Sequence, residues 1–341
     1  MIDVRAWLLW ALTVLVAASS TRNPLYAVLL LLITVVVGVT CMPVRSRQAS
    51  LSPLRFAAMA VPLAALFNGL TAHLGDTVLF RLPDWLPLLG GPVTLEALVF
   101  GATNGLILTV IFSGFAVFNQ VTPVHDLVRL TPRAFHEAGV VLSIALTFIP
   151  QTTRSLTRIR EAQAVRGHRV HGLRDWLPIV VPLLVSGLER SMGLAEAMVA
   201  RGYGAISDRA NLPRTQWLLA LGLFSLLGGW LVWLFLPSWK VPALGGIVVG
   251  AGLVVGLLWL AGQAVPRTAY RTHRWAVRDT LVVLGCGLTL VTVLLPLPLA
   301  DRATLGYAPY PRLTLPPFDP LIGLALLGLL APAVITGGPT N

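Results

Sequence analysis

Predominantly apolar runs, most of them 18 or more residues long, recur along this chain, and their recurrence limits its fold more than any other feature. Such a run is long enough to cross a hydrocarbon core about 30 Å thick. Each crossing segment must satisfy its own backbone hydrogen bonds in lipid, so continuous runs of this length predict helices rather than barrel strands. Eight are read: Ala6–Ala18 (short), Leu25–Met42, Phe56–His73, Ala97–Phe118, Trp217–Leu236, Ala243–Val265, Thr280–Leu297 and Leu321–Ile335. Composition agrees, with 56% hydrophobic and 11% charged residues and a mean hydropathy of +0.79. That is too apolar for a soluble domain. The expected fold is all-α: a polytopic membrane protein of about eight transmembrane helices plus long amphipathic cytoplasmic helices.

The charge of +11 is informative through its location. Of 25 Lys and Arg, twelve fall in 121–215, four in 266–279, and four are Arg5, Arg45, Arg47 and Arg55. With eight spans and both termini inside, these twenty face the cytoplasm, leaving Arg22, Arg81, Lys240, Arg302 and Arg312 outside. That positive-inside bias predicts a multi-pass protein with both termini cytoplasmic. It also accounts for the basic charge without nucleic acid as a partner. The first run has two readings. Arg5, Trp7–Val16 and Ala17-Ala18-Ser19-Ser20 resemble a cleaved signal peptide. A second run starting at Leu25 favours an uncleaved helical hairpin turning at Thr21-Arg22-Asn23-Pro24. Cys41 and Cys286 lie in or beside apolar runs without metal spacing, which points to packing.

Three successive parts are expected: four spans in 1–120, a polar but helical part in 121–214, and a C-terminal membrane part in 215–341, partly an extension. The exterior loop 74–95 is amphipathic, with Trp85 suited to the membrane–water boundary. In the middle part, Pro123 and Pro132 bracket a short helix, Val124–Leu130. A long helix from about Ala134 to Arg166 follows, with a kink expected at Pro150. A second, near Leu177–Arg201, carries Val181, Leu184, Val185, Leu188, Met192, Ala195 and Val199 at helical spacing. Two such helices between spans are expected along the cytoplasmic membrane surface.

Both helices end in the same phrase, E-A-x-x-x-R-G. Glu161-Ala162-Gln163-Ala164-Val165-Arg166-Gly167 recurs 35 positions later as Glu196-Ala197-Met198-Val199-Ala200-Arg201-Gly202. Each glycine suits a left-handed helix cap. A cation in a last helical turn is ordinary dipole complementarity. Two arginines in one repeated context fit better as plugs for acidic pockets on a partner, because a guanidinium binds carboxylate through two bonds and stays charged when desolvated.

Catalytic signatures are lacking. No G-x-x-x-x-G-K-[ST] occurs, which excludes a P-loop ATPase. No span holds a clearly embedded Asp, Glu, Lys or Arg of the kind ion-coupled carriers use, since Glu96 and Asp319 sit at edges. Asn104 and His73 read as packing hydrogen-bonders. Gly101-x-x-x-Gly105, Gly246-x-x-x-Gly250 and Gly252-x-x-x-Gly256 read as close helix contacts. His168-x-x-His171 lacks a third ligand and reads as a solvated loop, so no metal site is expected.

These residues resemble the transmembrane T component of energy-coupling factor (ECF) transporters, the EcfT/CbiQ family of vitamin and metal-ion importers. The likeness covers about 1–210: Asp3-Val4-Arg5, Thr21-Arg22-Asn23-Pro24, Thr122-Pro123, Phe148-Ile149-Pro150, Arg158-Ile159-Arg160-Glu161-Ala162-Gln163 and Ala197-Met198-Val199-Ala200-Arg201-Gly202-Tyr203. The family's two Ala-Arg-Gly signatures correspond to Val165-Arg166-Gly167, with Val in place of Ala, and Ala200-Arg201-Gly202. The resemblance implies a non-catalytic coupling subunit. Its Arg-tipped helices would dock on two ABC-type ATPases, which carry the ATP and magnesium; no cofactor is expected on this chain. An apolar face including Leu184, Leu188 and Met192 would pass motion to a substrate-binding S component in the bilayer. Two other readings compete: the permease subunit of a conventional ABC importer, which needs a polar path between spans, and a structural scaffold whose basic helices bind anionic lipid.

Overall fold

The computed structural model describes residues 2–41, 52–72, 74–83, 91–131, 135–168, 172–203, 213–263, 275–295 and 300–336. Helices dominate: α1 (Val4–Ser20), α2 (Pro24–Cys41), α3 (Pro53–Thr71), α4 (Leu95–Val121), α5 (Val124–Arg129), α6 (His136–Val165), α7 (Leu177–Ala200), α8 (Pro213–Phe235), α9 (Lys240–Gln263), α10 (Val277–Leu294), α11 (Pro320–Leu327) and α12 (Ala331–Thr336). Among the described residues, seven helices are long and apolar enough to cross a membrane. Six match expected spans. The first and last expected runs form shorter helices, and the last is broken by a 3₁₀ turn at Gly328–Leu330. The seventh is α7, which the sequence reading treated as an amphipathic surface helix. Its Leu177–Leu188 stretch has no charge, so its average hydropathy is high although Glu189, Arg190 and Glu196 follow in the same helix.

The described chain divides into two compact units, 1–127 with 271–341, and 128–270. These do not follow the three successive parts expected from the sequence, because α10–α12 pack with the N-terminal helices. Trp85, His73, His171 and most of the arginine-rich loop 266–279 lie outside the described residues.

In the first unit, a short turn at residues 21–23 joins α1 to α2, but the two hardly touch, and the expected helical hairpin does not pack on itself: both helices pack on α4, and α1 also on α10. Asp3 caps α1 by accepting from the Arg5 amide at 2.8 Å. Trp10, Val14, Tyr26, Leu30, Ile33 and Val37 join Val110 and Val117 of α4, Val282 and Cys286 of α10, and Ile322, Leu326 and Leu329 in one core. Close van der Waals packing and buried hydrogen bonds hold such a core in lipid, since tails outside are equally apolar. The C-terminal segment supplies many of those bonds. Trp10 Nε1 donates to the Leu329 carbonyl at 2.9 Å, and the Asp3 amide donates to buried Asp279 at 2.7 Å. Asn23, fully buried in the α1–α2 turn, donates to the carbonyls of Thr304 and Pro317 at 2.9 and 2.6 Å. Cys286 is buried in the core, while Cys41 Sγ lies 3.1 Å from Thr336 Oγ1.

The α3–α4 pair uses the first small-residue face. A methyl group on Gly105 would lie 2.9 Å from the Ala60 carbonyl oxygen, so only glycine admits this approach. Asn104 is exposed, and Asn68 makes the packing bond instead, donating to the Ala97 carbonyl at 2.7 Å. The loop before α4 contains an unexpected hairpin, with β1 (Val78–Leu82) antiparallel to β2 (Gly91–Thr94) and a bulge between Val78 and Phe80. Glu96, an edge carboxylate, is buried, and Thr77 satisfies it by donating through its amide (3.1 Å) and hydroxyl (2.6 Å). Arg312 and Asp76 form an exposed ion pair at 2.9 Å.

In the second unit, α8 and α9 form a tight pair through Gly222, Gly229 and Gly250. The second small-residue face thus makes the contact read from it, whereas Gly252 and Gly256 approach nothing within 4 Å. The other pair, α6 and α7, carries the repeated motif.

Candidate functional site: two arginine-capped helix ends

Helix α6 runs unbroken through Pro150 to Val165, and α7 runs to Ala200. Arg166 and Arg201 are their C-cap residues, with φ/ψ of −79/8° and −89/5°. Gly167 and Gly202 follow at φ +78° and +77°, the left-handed region that L-residues avoid. At the first end, the Gly167 amide donates to the Ala164 carbonyl at 2.9 Å and the His168 amide to Gln163 at 3.0 Å. At the second, Gly202 donates to Val199 at 2.9 Å and Tyr203 to Met198 at 3.0 Å. Both have the paired-bond pattern of a Schellman cap. The repeated sequence therefore builds the same structure twice.

The surroundings leave both tips open. Val165 is 90% exposed, and Arg166, Gly167, Ala200, Arg201 and Gly202 are exposed as well. Among the described residues, a Cβ on either glycine would meet nothing within 4 Å. Neither tip folds back into the described part of its own unit.

The helices lie antiparallel. Arg190 donates to Ser155 Oγ at 3.3 Å, while Gln163 reaches the Pro178 carbonyl at 3.4 Å. Two cation–π contacts bracket the pair: Arg190 is 5.9 Å from the Phe148 ring centroid, and Arg160 is 6.0 Å from that of Trp176. At the connecting turn His168 Nε2 donates to the Asp175 carbonyl at 2.7 Å, so this histidine has a structural bond. Because the pair is antiparallel, the arginines are not brought together but stand at opposite ends of it. A 24-residue helix separates them by about 35 Å.

Helix α7 has two distinct faces. Arg190, Gly193, Leu194 and Ala197 line a crevice against α6. Leu184, Leu188 and Met192 lie on the opposite side and are 61%, 66% and 65% exposed. The inner face escaped the sequence reading because it is small and polar, while the apolar stripe drew the periodicity argument. The signal was present: Arg190, Gly193, Leu194 and Ala197 also keep helical spacing.

The family model described as "Cobalt transport protein" (CbiQ) matches residues 1–212 of the 341. Energy-coupling factor transporter transmembrane protein EcfT of Streptococcus thermophilus is 36% identical over 104 residues, covering 26% of this chain and 39% of that protein. The Streptococcus equi protein of that name is 35% identical over 113 residues, covering 30% and 42%. EcfT 1 of Listeria monocytogenes is 29% identical over 163 residues, covering 42% and 58%. The chain thus spans less than two thirds of the length of these relatives. The matched stretch ends before α8 and includes both arginine caps. With a family match over more than half its length and this set of apolar helices, the chain belongs to the EcfT/CbiQ family of multi-pass transmembrane transporter components.

Proposed function

We propose that this protein is the coupling subunit of an ECF-type importer in a prokaryotic cell membrane. It would transmit ATP-driven motion of two ABC-type ATPases to a substrate-binding S component for vitamin or metal-ion uptake. ATP and magnesium act on the ATPases, and this chain binds neither. Positive-inside asymmetry supports a cytoplasmic side for both termini and the two caps.

The observation that carries this reading is the duplicated, exposed arginine cap at opposite ends of one antiparallel helix pair. Two like sites about 35 Å apart suit two copies of a like partner. Val165-Arg166-Gly167 docks on one ATPase and Ala200-Arg201-Gly202 on the other. Each arginine enters an acidic groove, and the Schellman cap holds its backbone at a defined angle. Relative movement of the ATPases then shifts the α6–α7 pair at both ends. The exposed stripe of Leu184, Leu188 and Met192 faces away from α6, free to bear on the S component.

The test is double charge reversal, Arg166→Glu with Arg201→Glu, in a tagged chain purified from native membranes. Losing one partner of a buried, hydrogen-bonded charge pair costs about 2–5 kcal/mol, so ATPase retention should fall roughly 30-fold or more. Unchanged retention of both ATPases rejects docking through these tips.

A further inference from the structure

We propose that the crevice between α6 and α7 is a binding site for one anionic phospholipid. The crevice is open and encloses about 900 Å³. Its two ends differ in chemistry. One is walled by Ile144, Phe148 and Leu194; the other presents Arg154, Arg158 and Arg190. Among the described residues, no Asp or Glu lines it. Arg154 and Arg158 are exposed, and among the described residues neither makes an ion pair. Arg190 is half-buried and fixed by Ser155 and the Phe148 ring.

Three uncompensated guanidiniums at one end suit a phosphate group, which accepts paired bonds from planar donors. The apolar end, one to two helical turns away along α6, suits the start of an acyl chain. A free phosphate would use only half of this arrangement; an anionic lipid uses both ends. Basic side chains at the cytoplasmic face of a membrane attract anionic lipid in any case. The crevice goes further by giving one lipid a defined seat between the two rods. The inference rests on these helices lying at the inner membrane surface, as the proposed function has them, but its readout needs no ATPase.

The full-length chain is purified in detergent, exchanged into phosphatidylcholine vesicles with or without phosphatidylglycerol, and re-extracted. Retained lipid is counted by mass spectrometry. Wild type should hold phosphatidylglycerol over phosphatidylcholine. The triple variant Arg154→Gln, Arg158→Gln, Arg190→Gln should lower that preference roughly a hundredfold. Neutralising the exposed Arg5, Arg55 and Arg278 makes the same charge change elsewhere and should leave it intact. Ala197→Trp fills the apolar end with every charge kept, and should also release the lipid. The Arg166→Glu/Arg201→Glu chain should retain it, so loss of docking and loss of lipid can be told apart. Equal loss in the two triple variants overturns the proposal in favour of diffuse attraction. Retention in both crevice variants overturns it outright. Displacement of the lipid by inorganic phosphate at millimolar concentration would reassign the site to a free anion.

Discussion

Replacing Gly202 by alanine separates the geometry of the arginine cap from its charge. Gly202 sits at φ +77°, and among the described residues a methyl group there meets no atom within 4 Å. No clash contributes, so the cost is that of placing an L-residue in the left-handed region, about 1–2 kcal/mol. Alanine's lower freedom in the frayed state reduces rather than adds to the release, and the net shift is about fivefold in the opening equilibrium. What opens is defined: the Gly202 amide leaves Val199, and the Tyr203 amide leaves Met198. Amide hydrogen exchange of this segment should therefore quicken several-fold, with the rest of α7 unchanged. Asparagine tolerates the left-handed region, and Gly202→Asn should restore most of the protection. All three chains carry the same net charge, so a parallel fall in ATPase retention for alanine measures positioning of Arg201. If alanine exchanges no faster than glycine, or asparagine no slower than alanine, the cap does not hold the tip.

Asn23→Ala removes three hydrogen bonds of a buried side chain, to Thr304, Pro317 and the Leu25 amide, and should lower stability by about 2–4 kcal/mol, read as the thermal midpoint in detergent. Gly105→Leu should push α3 from α4, since even a methyl lies 2.9 Å from a backbone oxygen; the check is loss of a monodisperse peak on size exclusion. Deleting 213–263, the α8–α9 pair, should leave the first unit folded, whereas truncation after 263 removes the partners of Trp10, Asp3 and Asn23 and should abolish accumulation.

What could be read along the chain was local. Apolar runs are tied to bilayer thickness, and glycine after an arginine-tipped helix encodes a left-handed cap; six spans and both Schellman ends followed from these. The role of 275–336 was not legible, because Trp10–Leu329 and Asp3–Asp279 join residues hundreds of positions apart and leave no periodic trace. Nor was the β hairpin, whose paired strands are separated by residues 83–90 and whose bonds lie between segments rather than within them. The arginines could be named from the repeat alone. Only the packing of α6 against α7 decided that they stand at opposite ends, and that the face between them gathers cations beside an apolar wall. Sequence specifies what each helix presents on its own sides; which sides meet depends on contacts that exist only after the chain has folded.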